Sequence, residues 1–119
     1  MLTQFGKLCR KLRIDNNELL KDMADKLSVT PAYLSAVEVG KRNVPEEWPE
    51  KIAELYSLNS ETYEALKHAA DKSQLQIKIN LRDYEEKDKD AVLAFARVFK
   101  ELDEDEKIKI KSVLLKGRM

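Results

Sequence analysis

The sequence predicts an all-α protein: a five-helix domain over residues 1–73, then an extension over residues 74–119 with one short strand and two helices. Charged residues make up 37% of the 119-residue chain and hydrophobic residues 43%, with only three Gly and three Pro, a composition that favours helices over disorder. Apolar residues recur at helical spacing in successive segments. Thr30–Pro31 adds a strong helix-start signal, because Thr accepts N-cap hydrogen bonds and Pro suits the first helical position.

Three helices are predicted within the first forty residues. Residues 2–14 form an amphipathic pattern that ends at Asp15–Asn17, since Asn tolerates the left-handed conformation found at helix ends. A second pattern spans residues 19–27, and Ser28–Val29 leaves room only for a tight turn before a third helix over residues 31–38. Two short helices joined by a tight turn predict a helix-turn-helix.

Two more helices, over residues 49–58 and 60–73, are expected to complete the domain. Their spacing places apolar side chains on a shared core, and helical spacing favours packing over base stacking for the aromatic ones. The expected core residues in this part of the chain are Trp48, Ile52, Leu55, Tyr56, Tyr63, Leu66 and Ala69.

The extension begins with a different pattern. Residues 75–81 alternate strictly between apolar and polar side chains, which predicts a strand with no evident partner in the chain. A lone strand leaves backbone groups unpaired, so residues 74–81 are expected to pair with the same strand of a second copy or to pack as an extended connector on their own domain. A charged connector over 82–89 then leads to a helix over 90–102, and a capping box at Asp103 opens the last helix.

Several functional classes are excluded by residue types that the chain lacks. Cys9 and His68 are the only cysteine and histidine, which leaves no intramolecular disulfide and no zinc cluster, so both are expected to be structural. No run of about 18 apolar residues and no signal-peptide pattern occurs, which predicts a cytoplasmic protein without a membrane partner. No nucleophile-and-base arrangement is recognisable, so we expect no enzyme activity, cofactor or metal.

The charge is distributed unevenly. The chain is neutral overall, but residues 1–45 carry eight Lys and Arg against five acids, and the remainder carries 14 against 17. A polyanion is therefore expected to meet the N-terminal part.

The stretch MADKLSVTPAYLSAVEVGKR, residues 23–42, resembles the lambda-repressor/Cro-like (XRE) helix-turn-helix family. The shared features are a small residue in the second helix, an apolar turn residue, a Leu-Ser pair and the Glu-x-Gly-Lys-Arg motif after the third helix. The resemblance covers about residues 5–66 and implies a lambda-repressor-like fold. It also implies the family's usual function, a dimeric DNA-binding transcriptional regulator of phage, mobile-element or antitoxin type, mainly a repressor.

The resemblance also assigns roles to individual residues. Arg13 and Glu38 match positions that pair across the first and third helices. The third helix is the recognition helix of the family. Lys41, Arg42 and Asn43 follow it, where family members touch phosphates, and such contacts supply affinity and register. The residues expected to contact double-stranded DNA are Lys21, Thr30, Ala32, Tyr33, Ser35, Ala36, Val39, Lys41, Arg42 and Asn43.

The chain departs from the family where base edges are usually read. Those positions hold residues without a side-chain hydrogen-bonding group, which excludes bidentate base readout through them. They are Leu20, Pro31, Ala32, Ala36 and Val39. The means of recognition that remain are contacts with thymine methyl groups, hydrogen bonds from Ser35, Lys21 or Tyr33, and readout of DNA shape. We therefore expect modest sequence specificity, which dimerisation increases.

The sequence therefore predicts a homodimeric regulator that binds DNA through residues 1–73 and dimerises through residues 74–119. The expected dimerisation residues are Leu75, Ile77, Ile79, Leu81, Phe95 and Phe99. The alternative is a protein-interaction module or antitoxin whose apolar recognition-helix face binds a toxin or another protein instead of DNA.

Overall fold

A computed structural model describes residues 1–117, and it confirms that the protein is all-helical. Within this range the α-helices are α1 (Gln4–Asp15), α2 (Leu20–Lys26), α3 (Pro31–Glu38), α4 (Trp48–Leu55), α5 (Ser60–Lys72), α6 (Glu86–Val98) and α7 (Glu104–Leu115). Short 3₁₀ turns occupy Leu81–Asp83 and Phe99–Glu101. None of the described helices is both long and apolar enough to cross a membrane.

Side-chain caps explain where several helices begin. The Thr3 hydroxyl accepts a hydrogen bond from the Gly6 amide at 3.0 Å, and the Thr30 hydroxyl accepts one from the Tyr33 amide at 3.1 Å. Each cap satisfies an amide that has no partner inside its helix. The predicted capping box is also confirmed, since Asp103 and Glu106 exchange backbone-to-side-chain hydrogen bonds at the start of α7.

The turns between the first helices use the left-handed conformation. Asn17 ends the α1 region with a φ of 56°, and Ser28 lies between α2 and α3 with a φ of 59°. Such residues reverse the chain within two or three positions, which lets α2 pack directly on α3. The tight helix-turn-helix corner predicted from the sequence is therefore formed.

One hydrophobic core joins the first five helices. Helix α1 packs against α3 and α5, α2 against α3, and α4 against α5. The buried hydrophobic residues are Phe5, Cys9, Met23, Ala24, Leu27, Leu34, Val37, Val44, Trp48, Ile52, Leu66, Ala69 and Ala70. Three of the expected core residues are not fully buried, since Leu55 is exposed and Tyr56 and Tyr63 are half-buried. Helical spacing selects the face of a helix that points to the core, but it does not decide how completely neighbouring side chains cover each residue on that face.

The strand predicted over residues 74–81 is wrong for the single chain, because no strand occurs in residues 1–117. A strand needs a second backbone for its hydrogen bonds, and the chain supplies none here. Leu75, Ile77 and Ile79 stay exposed and Leu81 is half-buried. The alternating pattern therefore marks an extended segment whose apolar side chains are uncovered.

The chain divides into two compact units, one up to Ile77 and one from Lys78 onward. In the second unit, α6 begins at Glu86, inside the segment expected to be a connector, and ends at Val98 instead of Leu102. Acidic side chains in its first turn favour this early start, because they complement the positive end of the helix dipole. The rings of Phe95 and Phe99 lie 4.9 Å apart in this unit, with Phe95 exposed and Phe99 half-buried.

A polar network joins Glu18, which precedes α2, to Lys26 at the end of α2 and to Tyr56 at the end of α4. The Tyr56 hydroxyl donates to a Glu18 carboxylate oxygen at 2.5 Å, and Lys26 forms an ion pair with the other oxygen. Burial acts to raise the pKa of Glu18, but the hydrogen bonds from Lys26 and Tyr56 outweigh it, so that pKa is lowered. The ionised carboxylate is therefore the form that the fold stabilises.

This network predicts a pH-dependent contribution to stability. Because the pKa of Glu18 is lower in the folded state than its ordinary value of about 4.3, the contribution is complete above that value and is lost as the pH falls through the lowered pKa. We expect Glu18→Gln to cost about 1 kcal/mol near neutral pH and progressively less as the pH falls below about 4.3. Urea unfolding of both proteins across this range measures the difference.

Glu64→Gln is the matched control, because Glu64 is exposed on α5. Its effect on the free energy of unfolding should be small at every pH. A Glu18→Gln effect of the same size at neutral and acidic pH would contradict the prediction.

Candidate nucleic-acid interface

The helix-turn-helix exposes a small, uncharged face. Thr30, Ala32 and Ser35 are exposed along the first two turns of α3, while Ala36 and Val39 are half-buried. Exposed Pro31 occupies the first position of the helix and carries no hydrogen-bond donor. Lys21 and Leu20 lie at the start of α2, with Lys21 exposed and Leu20 half-buried against the core. The face can therefore approach a groove closely but offers few hydrogen-bonding groups.

Tyr33 connects this face to residues 41–43, the basic loop that follows α3. Its ring meets Trp48 edge-on, with centroids 5.9 Å apart, and the Arg42 guanidinium carbon lies 5.1 Å from the Tyr33 centroid. Such cation–π contacts contribute about 0.5–1 kcal/mol at exposed sites. Tyr33 is half-buried, so it packs against Trp48 and positions Arg42 at the same time.

The backbone of the loop is anchored to the end of α3. The amides of Lys41 and Arg42 both donate to the carbonyl oxygen of Ala36, at 2.9 and 3.3 Å, and Gly40 turns the chain with a φ of 83°. Both basic side chains remain exposed. Two cations are thus held beside the C-terminal end of α3, where a polyanion passing along this helix would meet them.

Asn43 has a role that the sequence does not reveal. Its side-chain oxygen accepts a hydrogen bond from the Leu75 amide at 2.7 Å, and the Gln74 side-chain amide donates to the neighbouring Val44 carbonyl at 3.2 Å. The residues after α5 are therefore fastened to the basic loop. Only the NH₂ group of the Asn43 side chain is left to reach a phosphate.

A buried ion pair connects α1 to α3. The Arg13 guanidinium donates two hydrogen bonds to the Glu38 carboxylate, at 2.5 and 3.1 Å, and the two residues are only 8% and 3% exposed. Burial by itself lowers the pKa of Arg13, but the hydrogen bond and charge of Glu38 outweigh it and raise that pKa. The guanidinium therefore stays charged, and two parallel bonds fix the orientation of α3 against α1.

The backbone of Glu38 is held as firmly as its side chain. Its carbonyl oxygen accepts hydrogen bonds from both the amide and the hydroxyl of Thr3, at 2.9 and 3.0 Å. Gly6 lies directly beneath, so close that a Cβ atom there would be 2.2 Å from the same oxygen. Below, the contacts of Arg13, Thr3 and Gly6 with Glu38 are called the α1–α3 clamp.

The sequence predicts the ion pair of this clamp but not the contacts of Thr3 and Gly6 with Glu38. A usable signal existed for Gly6, because a glycine inside an amphipathic helix pattern costs about 1 kcal/mol relative to Ala and often marks a close backbone approach. Thr3 carried no comparable signal, since its bonds to Glu38 span 35 residues.

Cys9 lies in the core near the clamp and has no reactive character. Burial raises the pKa of its thiol, and the negative charge of Glu38 raises it further. The thiol is therefore protonated at neutral pH and is a poor nucleophile. Within residues 1–117, no three His, Cys, Asp or Glu side chains are grouped in a way that would hold a metal ion.

No protein-family profile, no curated protein and no solved structure shows a significant match to this chain.

Proposed function

We propose that this protein is a sequence-specific, double-stranded-DNA-binding transcriptional regulator that places α3 in the major groove. The observation that carries the proposal is the α1–α3 clamp, which fixes α3 at a corner whose outer face is small and whose end carries the exposed cations Lys41 and Arg42. The family resemblance of residues 23–42 supports the same function, and a repressor acting in the cytoplasm is the form that it favours.

In this proposal, affinity and specificity come from different residues. Lys41 and Arg42 contact phosphates, assisted by the amide group of Asn43, and supply most of the binding free energy. Ala32, Ala36 and Val39 contact thymine methyl groups or leave room for DNA of a particular shape. Hydrogen bonds to DNA come from Ser35, Lys21, Thr30 and Tyr33.

Dimerisation supplies the specificity that one domain lacks. A two-fold dimer binds two half-sites about one helical turn apart, so modest readout at each half-site is combined. The extension is the natural dimerisation element, because Leu75, Ile77, Ile79 and Phe95 are exposed apolar side chains that water solvates poorly. Leu81 and Phe99, the other two residues predicted to form the dimer, are half-buried.

A protein partner is the second candidate function. The observation that favours it is the uncharged outer face of α3, where exposed Pro31 and Ala32 resemble a protein-binding surface as much as a DNA-reading one. A toxin or another protein would then cover this face, and DNA would compete for it.

DNA binding is tested by fluorescence anisotropy across a salt series, with the duplex upstream of the protein's own gene and a scrambled duplex. We expect preference for the native duplex. The variant Lys41→Ala/Arg42→Ala should bind both duplexes roughly 10- to 100-fold more weakly at about 0.1 M salt, with a salt slope shallower by about two, because two phosphate contacts are lost.

The matched control is Lys67→Ala/Lys72→Ala, which removes the same charge from exposed positions on α5. Its affinity should change far less, because neither lysine lies on α2, on α3 or in the loop at residues 41–43, which are the parts that the proposal places against DNA. Equal losses in the two variants would indicate only a general charge effect. If wild type binds neither duplex at low salt, the DNA-binding proposal is wrong and the protein-partner function takes its place.

A further inference from the structure

The second compact unit covers its apolar side chains only partly. Among its described residues, 78–117, no side chain is buried, whereas the first unit buries thirteen hydrophobic residues. Helices α6 and α7 have 13 and 12 residues, a length at which isolated helices are only marginally stable in water. These helices therefore need a further surface against which to bury apolar side chains.

Helix α7 presents apolar residues on two sides. Ile110 is half-buried on one side, which Leu114 shares with half of its surface exposed, at 50%. Ile108 and Leu115, seven residues apart, share the other side with Ser112 between them, and both are at least half exposed, at 61% and 51%. They border a shallow groove of about 470 Å³, which Lys111 and Ser112 also line. We name the side formed by Ile108, Lys111, Ser112 and Leu115 the outer stripe.

The charges of α7 are separated along its length. Its first turn carries Glu104, Asp105 and Glu106, and all the ionisable residues that follow within the helix are lysines, at 107, 109 and 111. A parallel neighbour of the same sequence would place acid beside acid. An antiparallel neighbour places the acidic turn beside the lysines at both ends of the contact, which makes the helix self-complementary about a two-fold axis.

We propose that a second copy of this chain docks on the outer stripe, with the two α7 helices antiparallel and Ile108 near the two-fold axis. In that register, positions are mirrored about Ile108. The residue three positions before Ile108 in one copy, for example, lies beside the residue three positions after Ile108 in the other. Asp105 then lies beside Lys111 of the second copy, with Glu104 next to it, and the two Ile108 side chains meet at the axis, whereas Leu115 extends past the first residue of the facing α7. The proposal rests on the dimer in the proposed function and identifies the surface that forms it.

Two charge-reversal variants of the full chain test this pairing. Glu104→Lys/Asp105→Lys makes α7 wholly basic except for Glu106, and Lys109→Glu/Lys111→Glu makes it mainly acidic. We expect wild type to be a dimer in light scattering and sedimentation. Each variant alone should self-associate at least tenfold more weakly, because like charges then face each other across the axis. An equimolar mixture should recover the dimer as a one-to-one heterodimer.

Ile108→Asp tests the apolar contact at the two-fold axis and should also give a monomer. Trp48 fluorescence checks that the first unit stays folded in every variant, because Trp48 is buried in its core. A monomeric wild type, dimers formed by each charge variant alone, or a mixture that stays monomeric would each overturn the proposal. These measurements contain no DNA, so a failure here is distinct from a failure of DNA binding.

Discussion

Gly6→Ala is expected to destabilise the protein by about 3 kcal/mol, although alanine in place of glycine normally stabilises a helix by about 0.5–1 kcal/mol. The added Cβ atom would lie 2.2 Å from the carbonyl oxygen of Glu38 and 2.9 Å from its carbonyl carbon. The backbone at Glu38 cannot move aside without losing its two hydrogen bonds from Thr3. Helices α1 and α3 must separate, which disturbs the core that they share.

Urea unfolding, followed by circular dichroism and Trp48 fluorescence, measures this loss. Lys7→Ala, at the next and exposed position of α1, is the control and should change the free energy of unfolding by less than about 0.5 kcal/mol. A Gly6→Ala protein as stable as wild type would contradict the close approach of Gly6 in α1 to the Glu38 backbone in α3.

Arg13→Ala is expected to cost about 3–5 kcal/mol, because it leaves the Glu38 carboxylate buried without its charged partner. Glu38→Ala should cost a similar amount, since it strands the Arg13 guanidinium in the same place. Thermal and urea unfolding of both variants check these values. Arg10→Ala, an exposed cation on the same helix, should be nearly neutral.

A double variant separates the cost of a stranded charge from the net contribution of the pair. Arg13→Met/Glu38→Leu replaces both charges with apolar side chains of similar size, and we expect it to recover most of the stability lost in either single variant. A double variant as unstable as the sum of the two single ones would show no energetic coupling between the two side chains and would contradict the explanation by a stranded charge.

The same variant also tests whether the ion pair matters for function. If the bidentate bonds set the orientation of α3, the double variant should be stable but bind DNA more weakly than wild type. The Thr3 bonds and the close approach at Gly6 would still hold the backbone of α3 near α1 in this variant. Its DNA affinity therefore reports on orientation separately from stability.

Local signals in the sequence predicted the first unit well. Thr30–Pro31 fixed the start of α3 at the observed residue, and Asn17 and Ser28 take the left-handed conformations of the predicted turns. These features depend on interactions within four or five residues, so the local sequence contains the information that decides them. The helix ends predicted from periodicity alone, at Leu58 and Leu102, were less accurate, because periodicity continues past the residue where a helix stops.

By itself, the sequence determined the helical class, the helix-turn-helix corner and the lack of hydrogen-bonding side chains along much of α3. Only the tertiary structure showed that Gly6 lies beneath Glu38, that Asn43 holds the Leu75 amide, and that residues 75–81 form no strand in one chain. The first two are contacts between residues more than thirty positions apart, which depend on how the helices pack. The third depends on a second backbone, because strand pairing is a property of two segments and an alternating pattern describes only one of them.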